Sequence, residues 1–98
     1  MRMANGLPFR VFLSALLTLI LVTETQAADP VFCRQYAKAA VNQVRGGLSD
    51  PACGGRLQGA RWSSDFAVHY EWCLGASDAA AGDETDARTR YLRGCSGR

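Results

Sequence analysis

The chain contains one histidine, His69, in the run Asp65-Phe66-Ala67-Val68-His69-Tyr70-Glu71-Trp72-Cys73. On a helix, Asp65 lies one turn before His69. A carboxylate that orients an imidazole is the arrangement general acid–base catalysis uses. The competing assignment is structural: a half-buried histidine that packs a helix interface. A second pair, Glu84 and Arg88, is spaced i,i+4. On an inward face, a carboxylate and a guanidinium form a possible site for a polar ligand, or a partly buried ion pair that orders packing without necessarily adding stability. Cys33, Cys53, Cys73 and Cys95 are the remaining reactive groups. No two stand closer than about 20 positions, whereas zinc sites usually contain a close ligand pair. There is no Cys-x-x-Cys redox motif and no haem attachment motif, so two disulfides are expected. Gly54-Gly55 lacks the Lys-Ser/Thr of a phosphate loop, and no serine nucleophile elbow is present. No metal and no cofactor are expected.

The elements that position these residues follow a leader. Arg2 and Arg10 precede an apolar run, Val11 to Val22, of about 12 residues, the length of a signal-peptide core rather than of a membrane span. Thr25 and Ala27 are small residues in the −3 and −1 places, so residues 1–27 are expected to be a signal peptide cleaved after Ala27. Residues 28–98 then form one small domain of about 71 residues, a size at which natural proteins commonly add covalent staples. The full chain carries a net charge of +2. That balance argues against a charge-driven nucleic-acid binder, which shows a strong basic excess. Arg88, Arg90, Arg93 and Arg98 give the C-terminus a basic lean, but Asp83, Glu84 and Asp86 precede them, and a solvated mixed-charge helix is the simpler reading.

Asp29-Pro30 starts the first helix, with a capping acid followed by proline at the first helical position. At 100° per residue, Cys33, Tyr36, Ala37, Ala40, Val41 and Val44 fall within an arc of about 140°, and Arg34, Gln35, Lys38, Asn42 and Arg45 fill the opposite side. Gly46-Gly47 is expected to end it. Leu48 to Arg61 reads as a loop pinned by Cys53. Ser63 or Ser64 caps a second helix that buries Phe66, Tyr70 and Cys73, has His69 at the edge of that face, and stops near Gly75. Trp62 and Trp72 flank it as expected core residues. A third helix starts at Ser77 or Asp83 and runs to about Arg93. Its expected apolar face is Ala80, Ala87, Tyr91 and Cys95, with Glu84 inside the face and Arg88 at its margin. No run alternates as a strand does. The expected fold is all-α: a small three-helix, disulfide-stapled domain.

Geometry orders the cysteines. If the first two helices pack antiparallel, Cys33 near the start of one and Cys73 at the end of the other lie at the same end. The third helix carries Cys95 to the far end, where Cys53 follows the first helix. The expected pairs are therefore Cys33 with Cys73 and Cys53 with Cys95.

Cys33-x-x-Tyr36-Ala37, Ala40-Val41-x-Gln43, Cys53, Arg61-Trp62-Ser63-x-Asp65, His69-x-x-Trp72-Cys73, Ala80, Glu84, Arg88 and Cys95 together resemble a pattern found in small exported bacterial four-cysteine helical proteins of unknown function. The resemblance covers almost the whole processed chain and implies no activity. The expected function is that of an exported, non-catalytic interaction or structural module of the bacterial cell envelope, periplasmic or secreted. Its partner would be a protein or envelope component, with no nucleic acid bound and no stable membrane span after processing. The alternative is a small secreted hydrolase using His69 with Asp65.

Overall fold

The computed structural model describes residues 26–97. The expected leader, apart from Gln26 and Ala27, lies outside the described residues. Three α-helices follow one another: α1, Pro30–Ser49; α2, Phe66–Leu74; and α3, Asp78–Ser96. Two 3-10 turns, Gly54–Arg56 and Ala60–Trp62, shape the connection between α1 and α2. Among the described residues there is no strand, and no helix is long and apolar enough to cross a membrane.

The Asp29 carboxylate accepts the Phe32 N–H at 3.0 Å and satisfies one of the orphan donors of α1, while Pro30 has no N–H to satisfy. The buried stripe of α1 is Cys33, Tyr36, Ala37, Ala40, Val41, Val44 and Gly47. The helix does not stop at Gly46-Gly47 as the sequence suggests. It continues to Ser49, and Asp50 turns out of it in an extended conformation, as a residue before a proline prefers. Gly47 serves packing instead. A Cβ there would lie 2.7 Å from Leu92 Cδ2 and 2.8 Å from Leu57 Cδ1, whereas one on Gly46 meets nothing within 4 Å. Gly46→Ala should therefore stabilise the protein by about 0.5–1 kcal/mol through helix propensity. Gly47→Ala should fall at least ~1 kcal/mol below it, because two leucines must move. Urea denaturation of the two variants side by side measures that gap, and equal stabilities would refute the packing role.

The segment from Leu48 to Arg61 is folded rather than slack. The Asp50 carbonyl accepts from Cys53 N–H at 3.0 Å and Gly54 N–H at 2.8 Å, and the Asp50 side chain accepts from Ala52 N–H at 2.9 Å. Leu57 and Trp62 turn inward from this segment and are 8% exposed. They form one core cluster with Val44, against which Leu92 packs. A second cluster, Ala28, Cys33, Tyr36, Cys73 and Ala81, occupies the other end of the domain. The disulfides join Cys33 to Cys73 and Cys53 to Cys95, so each end carries one.

Two helix faces differ from the sequence expectation. The cap of α2 is Asp65, whose carboxylate accepts the Ala67 N–H at 2.9 Å, while Ser63 Oγ accepts the Asp65 N–H at 3.0 Å. The buried residues of α2 are His69 and Cys73, and Phe66 is 42% exposed. Cys73 is fixed by its bond to Cys33, and the residue one turn before it on the same row is His69, not Phe66. Phe66 stacks on Tyr70, and Tyr70, half-buried, packs against the cluster that contains Cys73, as expected. Trp62 enters the core as expected, whereas Trp72 remains 45% exposed and lies against Tyr36. α3 starts at the Ser77 cap and passes unbroken through Gly82 to the left-handed Gly97. Its fully buried residues are Ala81 and Arg88, with Leu92 packing on the far cluster. Each of these residues follows Ala80, Ala87 or Tyr91 by one position, so the true face is turned by about 100° from those three expected residues, and of the expected face Cys95 alone lies on the buried side, through its bridge to Cys53.

Candidate functional site

Between the two core clusters the domain buries a charge. Arg88 is 0% exposed. Its guanidinium lies 5.3 Å from the centre of the Tyr36 ring, within the range of a cation–π contact. Its Nε donates to Gln43 Oε1 at 2.8 Å. Gln43 is itself held, since its amide donates to the Thr85 carbonyl at 3.1 Å and to Thr89 Oγ1 at 2.9 Å. These bonds tie the middle of α1 to one face of α3 and fix the arginine from the Nε side.

The other side of the guanidinium is open in hydrogen-bonding terms. Arg88 Nη1 and Nη2 are buried and have no hydrogen-bond partner. The carboxylate nearest Nη1 is that of Glu84, 3.7 Å away, longer than a hydrogen bond. Glu84 is drawn outward by Arg61. Arg61 Nη2 donates to Glu84 Oε1 at 3.1 Å, and Arg61 Nε donates to Oε2. That hydrogen bond, and then the attraction of the same carboxylate, raises the Arg61 guanidinium above its ordinary value. The Arg61 side chain is 45% exposed and the Glu84 side chain 22%. The expected placement of these two α3 residues is thus reversed. Arg88 is the interior residue and Glu84 the marginal one, because Tyr36 and Gln43 receive the guanidinium while Arg61 takes the carboxylate.

A cavity of about 180 Å³ opens at this point. Arg88, Glu84, Arg61 and His69 form its polar wall, and Tyr36, Val68 and Trp72 its apolar wall. His69 is 3% exposed, and its Nε2 lies 2.7 Å from the Ser63 carbonyl oxygen. A carbonyl only accepts, so Nε2 carries the proton. Asp65 is not its partner. It is exposed and its carboxylate caps α2. The structure therefore brings His69, Glu84 and Arg88 to one cavity and leaves Asp65 outside the cavity. Among the described residues, no group of three His, Cys, Asp or Glu side chains is placed to hold a metal ion.

Sequence reasoning did not assign Tyr36, Gln43, Arg61 and Trp72 to this site. Gln43 carried a usable signal: at 100° per residue it falls within about 20° of Tyr36, a polar residue on an apolar arc. Arg61 carried none, because its partner Glu84 is 23 positions away across an irregular connection. Comparison with protein-family models, with curated proteins and with solved structures finds no match to this chain.

Proposed function

We propose that the chain is an exported, non-catalytic interaction module of the bacterial cell envelope, periplasmic or secreted, whose partner is a protein or an envelope component. The observation that carries the non-catalytic reading is that the expected acid–base pair is not assembled. Asp65 is exposed and its carboxylate accepts the Ala67 N–H as a helix cap, while His69 is 3% exposed with Nε2 bonded to the Ser63 carbonyl. A general base has to lie within reach of substrate, and this histidine is buried without the carboxylate expected to orient it. Export draws its support from the two disulfides, which suit an oxidising compartment.

Expression of the full chain in a bacterial host, followed by intact-mass analysis of the exported fraction, should show a protein beginning at Ala28. A membrane-retained species beginning at Met1 would contradict export. The purified protein should turn over no ester, phosphoester, glycoside or peptide substrate. His69→Gln should lower stability by roughly 1–3 kcal/mol, the range for a buried hydrogen bond left imperfect. Turnover that disappears in a folded His69→Gln variant would instead establish the secreted-hydrolase alternative.

A further inference from the structure

We infer that the cavity between α2 and α3 is a carboxylate-binding site, with the buried Arg88 guanidinium as its anchor. A buried guanidinium with unpaired nitrogens is costly to maintain unless a partner arrives. Here Nε is used by Gln43, while Nη1 and Nη2 make no hydrogen bond. Two adjacent N–H groups on a planar, fixed fork match the two oxygens of a carboxylate. At 3.7 Å Glu84 gives Nη1 an ion pair but no hydrogen bond, because its two oxygens accept from Arg61, so the fork has no bidentate partner in the chain.

The remaining properties of the cavity narrow the ligand. Arg61 and Arg88 against Glu84 leave one positive charge in excess, which matches a monoanion rather than a phosphate dianion. The apolar wall of Tyr36, Val68 and Trp72 suits a short apolar or aromatic body attached to the carboxylate. A volume of about 180 Å³ equals roughly six waters at about 30 Å³ each, enough for a small organic acid or the last side chain of a peptide. Trp72 and Arg61 line the cavity while remaining about half exposed, and because Arg88 itself is 0% exposed a carboxylate reaches its nitrogens only when these side chains and the Arg61–Glu84 pair swing aside. The two sources of the ligand, a free acid and a C-terminal peptide carboxylate, share this chemistry.

The inference deepens the reading of the chain as an interaction module, but its test is independent of export and of catalysis, being a binding measurement on the purified, oxidised protein. Benzoate, benzamide and inorganic phosphate are titrated at constant ionic strength, with indole fluorescence and arginine side-chain ¹⁵N resonances as readouts. Benzoate should bind saturably and at least tenfold more tightly than benzamide or phosphate, and the Arg88 Nη resonances should move most. Glu84→Gln, which removes the competing negative charge, should tighten benzoate severalfold. Arg88→Lys, which loses the planar fork, should weaken it at least tenfold. Should Arg88→Lys fail to fold, the wild-type resonances and Glu84→Gln still decide. A short peptide ending in phenylalanine, as free acid and as amide, separates the sources. A free-acid peptide that outbinds benzoate assigns the site to chain termini; a weaker one assigns it to small acids. Absence of saturable benzoate binding, equal binding of benzamide, tighter binding of phosphate, or resonance shifts confined to residues away from Arg88 would overturn the assignment.

Discussion

Reduction of both disulfides is expected to unfold the protein at 25 °C in the absence of denaturant. The bridges close segments of 40 and 42 residues. In the chain-entropy description each such loop removes about 3.9 kcal/mol from the unfolded state's advantage. A domain of this size typically has a total stability of roughly 4–11 kcal/mol at 0.05–0.15 kcal/mol per residue, so the loss of two bridges approaches or exceeds the whole. The location of the bridges adds to the argument. Cys33–Cys73 lies within the core cluster at one end, and Cys53–Cys95 fastens the irregular connection to the end of α3. Without the second bridge, Leu57 and Trp62 must hold that connection by burial alone. Far-ultraviolet circular dichroism before and after reduction measures the effect. The helical signal should collapse on reduction and return on reoxidation. A reduced protein that keeps a cooperative thermal transition above 25 °C would show that burial, not covalent stapling, supplies the stability.

Arg88→Ala is expected to cost about 3–5 kcal/mol, the largest effect of any single non-cysteine substitution. Three losses combine. Truncating a large buried side chain leaves a cavity. Gln43 Oε1 loses the donor that satisfies it, and Glu84 loses the second of its two positive neighbours. Gln43→Ala should be milder, about 1–3 kcal/mol, but it strips the last hydrogen bond from a buried charge. The two effects should not add, because both remove the same contact. A double-mutant cycle should return a coupling of roughly 1–3 kcal/mol. A coupling near zero would mean that Gln43 and Arg88 contribute separately.

The parts of this structure legible in the sequence are those governed by local rules or by covalent chemistry. Asp29-Pro30 fixes the start of α1, and the apolar arc from Cys33 to Val44 fixes its face. An antiparallel first pair of helices leaves one comfortable pairing for the four cysteines. The differences come from contacts between elements, which local pattern does not carry. Placing Arg88 at the margin turns the expected face of α3 toward Ala87 and Tyr91, although Ala81 and Leu92, with the expected Cys95, mark the buried side. Reading Phe66 as core and His69 as edge misplaced α2, because the Cys73 bridge, not hydrophobicity, sets its rotation. Gly46-Gly47 read as a stop, yet Gly47 answers a close approach by Leu57 and Leu92 that no local pattern reveals. The cavity was therefore only partly visible. Glu84, Arg88 and His69 were singled out, but the Arg61–Glu84 pair that leaves Arg88 unpaired depends on how an irregular connection folds.

The Nε of Arg88 serves the fold through Gln43, whereas its two Nη groups are open to a ligand, and Arg88→Met tests that division most directly. Methionine fills much of the same space and removes the two unpaired buried nitrogens. Glu84 keeps its pair with Arg61 after the substitution, so no buried charge is left without a partner, and the bond lost is the one to Gln43 Oε1. Urea denaturation of the wild type and of Arg88→Met, each with and without benzoate, provides the comparison. The variant should lose no more than about 1–2 kcal/mol when ligand is absent, the cost of the unmet Gln43 acceptor, and benzoate should stabilise the wild type alone. A loss of more than about 3 kcal/mol in Arg88→Met, together with no effect of benzoate on the wild type, would show that the charge belongs to the architecture and that the cavity is no site.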